Sequence, residues 1–258
     1  DDTSFNELEK SDKGFSNWTK RNLFAHRVPG YKAVVVSLKA PGIAPGDATD
    51  EQMDHIASLA DLYSYGEVVV THDQNLILPN VKQANLFALW KKLSKKNLAT
   101  ANIGLLTDMI CCPGLDFCSL ANAGSIPIAK QINEKFDDID YLHDIGELKI
   151  KMSGCMNACG HHHVGHIGIL GVKKKDKEFY QLTLGGSAEK DACLGDRLGP
   201  SIVKDEVANV IGKLLSVYVE KRQDEERFLD TYRRVGIEPF KERVYPKTTA
   251  KEKAHANN

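Results

Sequence analysis

The period of the apolar positions changes several times along the chain, and each change marks an element. Residues 31–40, YKAVVVSLKA, carry valines too dense for anything but a buried strand. PGIAPGDA (41–48) is a loop. Thr49 then caps a helix, with Gln52 three residues on as in a capping box, and Met53, Ile56, Leu59, Ala60 and Tyr63 recur at helical spacing. Gly66 stops it. EVVVT (67–71) is a strand, HDQN a turn and LIL (76–78) a short return strand. Pro79 and Asn80 lead into a second helix that places Val81, Leu86, Leu89, Trp90 and Leu93 on one face. The order β-α-β-β-α is ferredoxin-like, with GLLT (104–107) as the candidate final strand. Residues 1–30 are polar and mixed around a lone Trp18, and 1–19 read as an extended arm.

From about residue 99 the texture changes. A helical stretch (about 119–136), an acidic turn and a strand, ELKIKMSG (147–154), lead to a second buried strand, HIGILGV (166–172). KKKDKE (173–178) is a charged hairpin turn and FYQLTLGG (179–186) its return strand. Residues 205–222 form an amphipathic helix on Val207, Val210, Ile211, Leu214, Leu215 and Tyr218, and a further helix spans about 224–235. The polar remainder, 236–258, reads as a disordered tail. The fold class is α+β: a ferredoxin-like half-domain (20–98) followed by a mixed α/β domain (99–235).

Composition narrows the classes. An apolar fraction of 42% with 27% charged residues is that of a globular chain. A net charge of −1 offers no basic field for nucleic acid, and no apolar run reaches membrane-spanning length. DDTSFNELEK has neither the basic start nor the apolar core of a signal peptide. Six cysteines without a secretion signal suggest the cytoplasm, where clustered thiols are more often ligands than disulfides.

Four of the six fall in two tight pairs, Cys112-x5-Cys118 and Cys155-x3-Cys159. Four thiolates suit a tetrahedral zinc or an iron–sulfur cluster. The five-residue gap favours the larger body, because zinc knuckles use two to four intervening residues. Pro113 and Gly114 lie inside the first pair, and Gly154 and Gly160 flank the second, so main-chain amides can approach the ligand sulfurs. A zinc-stabilised interaction module stays open at this point, as does a stand-alone 4Fe–4S electron-transfer module. Cys111 and Cys193 lack such spacing: Cys111 reads as structural, and Cys193 lies in a Gly-rich stretch that lacks the G-K-[ST] ending of a phosphate-cradling loop and reads as a plain loop.

C-x5-C followed by G-C-x-N-x-C-G resembles the sirohaem- and 4Fe–4S-containing nitrite and sulfite reductases. SIPIA after the first pair, HIGILGV after the second and THDQNLIL (71–78) extend the resemblance over about 31–235. It implies a 4Fe–4S cluster on Cys112, Cys118, Cys155 and Cys159, with Cys159 also touching the sirohaem iron. It also implies six-electron reduction of sulfite to sulfide or nitrite to ammonia. The family has two pseudo-symmetric halves, and this chain resembles the C-terminal one. The N-terminal half of the same reductase, which carries most of the basic cage around the substrate, is then an expected partner. A ferredoxin or flavoprotein electron donor is another. Alone, the chain is not expected to catalyse the reduction.

Gln74 and Asn75 are candidates to hydrogen-bond a sirohaem carboxylate, or instead to brace a neighbouring loop or close the hairpin. Asn157 is expected to shape the cluster loop. His161, His162, His163 and His166 are either a metal or proton-donor cluster, or a packed pair beside solvated neighbours. Lys173 to Lys175 are a solvated turn, or a dock for an acidic donor.

Overall fold

The computed structural model describes residues 2–246, which divide into two compact units. The disordered tail expected beyond residue 246 lies outside the described residues.

The first unit comprises residues 1–111 and 129–149. It opens with helices α1 (Asp2–Ser11) and α2 (Lys13–Asn22), where an extended arm was expected. Asp12 caps α2 by accepting the Phe15 N–H. Phe15 and Trp18, one turn apart, are fully buried, and Phe15 packs edge-on against Phe87 and beside Trp90. A polar stretch with two aromatics at helical spacing thus becomes a helix through tertiary packing rather than propensity.

The strands β1 (Leu23–Ala25), β2 (Tyr31–Val36), β3 (Val69–Val70) and β4 (Leu76–Lys82) form an antiparallel sheet in the order β1-β2-β4-β3. Helix α3 (Asp50–Tyr63) lies between β2 and β3 and carries the expected capping box at Thr49 and Gln52. Helix α4 (Leu86–Ser94) follows β4 and buries Leu86, Leu89 and Leu93 in the same core as Val34, Val36, Ile56, Leu59 and Leu78. Met53, although on the apolar stripe of α3, is 61% exposed. GLLT is not a strand: Leu105 and Leu106 are buried in a series of turns that leads to β5 (Ile110–Cys111). The helix expected over 119–136 is confined to α5 (Ile126–Lys135), and α6 (Ile139–Ile145) follows it, capped by Asp138.

Among the described residues the second unit comprises 112–128 and 150–246. Its strands β6 (Ile150–Ser153), β7 (Ile167–Lys174), β8 (Lys177–Leu184), β9 (Asp196–Arg197) and β10 (Ile202–Val203) follow the order β10-β8-β7-β6, with β9 also on β8. β6 and β7 are parallel. β7 and β8 form a hairpin whose two turn residues, Lys175 and Asp176, both have positive φ, as a type I′ turn demands. Lys173 pairs with Asp176 there, and Lys174 donates to Ser201.

Helix α7 (Val207–Lys221) buries the stripe expected from its sequence. It packs with α8 (Phe228–Val235) and with α9 (Glu238–Val244), which occupies part of the expected tail. Phe240 is fully buried against Phe228 and Tyr232, and this burial is what makes the short polar-looking segment helical. Among the described residues no helix is long and apolar enough to cross a membrane.

Candidate metal centre

All four paired cysteines lie in the second unit, on two loops stitched together by main-chain hydrogen bonds. In the first loop Gly114 has φ +60°, and the Cys118 N–H donates to its carbonyl at 2.9 Å. A Cβ at Gly114 would stand 2.5 Å from the Ser125 nitrogen, so only glycine fits this turn. In the second loop the Ala158 N–H donates to the Cys155 carbonyl at 3.2 Å, with Ala158 itself at φ +57°. The Gly154 carbonyl accepts from both Asn122 (2.9 Å) and Ala123 (3.1 Å), which joins the second loop to the end of the first.

None of the six cysteines forms a disulfide. Cys155 is buried, Cys112 and Cys118 are half-buried and Cys159 is exposed. Cys112 Sγ accepts the Gly154 N–H at 2.9 Å and lies 3.5 Å from Ser125 Oγ. An amide aimed at a sulfur stabilises the thiolate form, the form that ligates metal. Among the described residues no three His, Cys, Asp or Glu side chains are grouped to hold a single metal ion. In a 4Fe–4S cubane each iron takes one thiolate, so its ligands need not share a metal. Four cysteines outside any disulfide, on two joined, glycine-bounded loops, therefore fit a cluster.

The other candidates resolve in different ways. Gln74 and Asn75, both in the first unit, spend their side-chain amides inside the protein. Gln74 exchanges two hydrogen bonds with the main chain of Cys111, and Asn75 accepts from Leu38 N–H and donates to Asp108. In the structure both side chains brace neighbouring segments, one of the three roles that the sequence left open. Asn157 is exposed on the second cysteine loop. Cys111 is buried beside Cys112, and Cys193 is exposed and donates to the Gly185 carbonyl.

The histidines split as a packed pair beside exposed neighbours. His162 and His166 are buried, and His161 and His163 are exposed. His162 lies against His163, 3.9 Å between ring centroids, and its Nδ1 is buried without a hydrogen-bond partner. Burial, reinforced by the His163 charge, lowers its pKa from 6.5 to about 4. The unfolded chain therefore takes up a proton here before the folded one does, so stability falls as pH drops from 6.5 towards about 4. His162→Leu is expected to flatten that part of the pH dependence, measured as the urea midpoint at several pH values.

Two features were not legible in the sequence. Lys39 and Asp108 form a buried ion pair at 2.7 Å, with Lys39 also donating to the Asp73 carbonyl. Leu115, Phe117, Leu120 and Met156, on the two cysteine loops, are 48–81% exposed. Single exposed apolar residues are ordinary, but four on one pair of loops are a concentration of exposed apolar surface.

Residues 105–253 match the model of the nitrite and sulphite reductase 4Fe-4S domain, and residues 28–96 match that of the nitrite/sulfite reductase ferredoxin-like half domain. The chain belongs to the nitrite and sulfite reductase family. It is 27% identical over 207 residues to a ferredoxin–nitrite reductase of Synechococcus elongatus, covering 77% of this chain and 39% of that one. It is 28% identical over 189 residues to the hemoprotein beta-component of a Bacillus pumilus NADPH sulfite reductase, covering 72% of this chain and 32% of the relative. The chain thus spans well under half the length of these two relatives. Its fold is similar to that of Mycobacterium tuberculosis NirA (TM-score 0.66, 23% identity), over 85% of this chain and 41% of the other. It is also similar to dissimilatory sulfite reductase I (TM-score 0.71, 16% identity), over 85% of this chain and 70% of the other. As a family member with a 4Fe–4S domain, the chain carries the cluster-binding part of the reductase fold.

Proposed function

We propose that this chain is the C-terminal portion of a sirohaem nitrite or sulfite reductase, and that Cys112, Cys118, Cys155 and Cys159 hold its 4Fe–4S cluster. The observation that carries the assignment is the stitching of the two cysteine loops, with an amide N–H directed at Cys112 Sγ. Cys159 is the ligand that reaches the sirohaem. It is the exposed member of the four. When bound, the two cofactors supply the electron storage and the anion-activating iron for six-electron reduction of nitrite or sulfite.

The chain's own residues do the rest. The loops fix the ligands, Gly154 donates to a sulfur, and the exposed Phe117, Leu120 and Met156 supply an apolar face around the centre. Burial of that face against sirohaem and the N-terminal half of the same reductase excludes water from the cluster. Electrons come from a ferredoxin or flavoprotein donor. The share of its relatives that the chain spans supports reading it as one part of such an enzyme.

Anaerobic reconstitution is expected to give a brown chain with about four irons and four sulfides. Replacing any of Cys112, Cys118, Cys155 or Cys159 by serine should abolish that chromophore, while Cys111→Ala and Cys193→Ala keep it. A colourless chain that binds one zinc would overturn the proposal. Cluster bands that never gain sirohaem absorption, even with sirohaem and the missing half supplied, would reduce it to an electron-transfer module.

A further inference from the structure

We propose that Gln74 is a positioning residue for the cluster ligand Cys112, acting through the main chain of Cys111; the inference rests on the ligand assignment above. The Gln74 side chain behaves like one more strand residue beside Cys111. Its Nε2 donates to the Cys111 carbonyl at 2.9 Å, and the Cys111 N–H donates to its Oε1 at 2.9 Å. The next main-chain N–H, that of Cys112, donates to the Met152 carbonyl at 3.1 Å. The peptide group leading into Cys112 is therefore held by its carbonyl oxygen and by its N–H, which fixes the direction in which the Cys112 side chain leaves the backbone. That direction places Sγ under the Gly154 N–H.

Gln74 is itself firmly rooted. Its turn is closed by three hydrogen bonds between Thr71 and Asn75. Asn75 is 2% exposed and is anchored on Leu38 and on Asp108, the partner of buried Lys39. Gly46 leaves room for the turn, since a Cβ there would stand 3.0 Å from that of Gln74.

The backbone gives a second, independent sign. Gln74 has φ +58°, a left-handed conformation that is unfavourable for a residue with a Cβ. Asparagine or glycine is the usual occupant. Such strain persists only where the surrounding structure over-determines it, and the two bonds to Cys111 do so here. If the peptide before Cys112 turns freely, the Gly154 N–H···Sγ bond lengthens. Such bonds favour the more negative, reduced cluster, so their loss lowers the midpoint potential and loosens the iron.

The test uses the whole chain, reconstituted anaerobically, as wild type, Gln74→Gly and Gln74→Ala. Both variants remove the brace, but only glycine relieves the backbone strain. The expected result is iron loss to a chelator about 10-fold faster in both, the order of effect of an outer-shell partner. A lower midpoint potential in both should accompany it, although Gln74→Gly melts no lower than wild type. In the cluster-free chain, Cys112 should be alkylated faster by iodoacetamide in both variants, with Cys193 unchanged. Iron loss, potential and Cys112 alkylation all equal to wild type overturn the inference. So does a cluster effect confined to the alanine variant and tracking its melting point. A wild-type chain that takes up no iron overturns the ligand assignment instead, and is told apart because the alkylation rates still report on the brace.

Discussion

Replacing Asp108 by alanine is expected to remove about 3–5 kcal/mol of folding stability, the usual result of leaving a buried charge without its partner. The side chain of Lys39 is 0% exposed and that of Asp108 8% exposed, so water cannot take over the lost interaction. Asp108 is also the acceptor for Asn75 Nδ2 (2.9 Å) and for the Gly104 N–H (2.9 Å), so one substitution strands three donors. Lys39→Met should cost less, because the carboxylate it leaves behind keeps those other two donors. Removing both charges together should restore part of the loss relative to Asp108→Ala alone. Urea denaturation of the two single variants and the double variant measures this cycle. A loss below about 1 kcal/mol for Asp108→Ala would place the pair in a solvated setting, contrary to its burial. Against a typical total of about 5–15 kcal/mol, the expected loss is enough to leave the first unit marginal.

Gly160→Ala is expected to be the most disruptive single methyl near the cysteines. A Cβ at this position would lie 1.8 Å from the Met152 carbonyl oxygen and 2.7 Å from its carbon. Both atoms belong to the backbone of β6, which no rotamer change can move aside. The chain must shift, at about 1–3 kcal/mol or more. The residue that shifts with it is Cys159, its immediate neighbour in sequence. Gly160 N–H also donates to Ser153 Oγ at 3.2 Å, a bond that the shift would stretch. The expected outcome is a lower melting temperature together with loss of most reconstituted iron. Gly124→Ala is the control, because the nearest atom to a Cβ there is the Glu178 carboxylate oxygen at 3.5 Å, an ordinary contact. If Gly160→Ala binds iron and melts like Gly124→Ala, the close approach of this loop to β6 is wrong.

The lysine–aspartate pair also shows how an element can be missed in a sequence. Lys39 sits in SLKAPG and Asp108 in LLTDMI, 69 positions apart, and neither segment has a spacing that pairs them. Only the folded turns bring the two together. Trp18 and Phe240 failed in the same way. Each lies in a polar stretch that read as arm or tail, and each helix is held by burial of its apolar face: Phe15, one turn before Trp18, meets Phe87 and Trp90, and Phe240 meets Phe228 and Tyr232. GLLT failed in the opposite direction: its apolar run suggested a strand, but Leu105 and Leu106 reach the core from turns.

The cysteine pairs stand out in the sequence because both their spacing and the glycines at their edges are local. A tight loop around a cluster needs its donors and its small residues within a few positions of one another, so the chemistry is written in consecutive residues. The capping box at Thr49, the hairpin at Lys175 and Asp176 and the stripe of α7 are local for the same reason. What holds Cys112 in place is not local. Gly154, Met152 and Gln74 come from three separate segments, and the sequence left open whether Gln74 meets a cofactor or a loop. Side-chain amides carry the same donor and acceptor whichever partner they meet, so only the tertiary structure shows Gln74 bonded to the main chain of Cys111 at 2.9 Å.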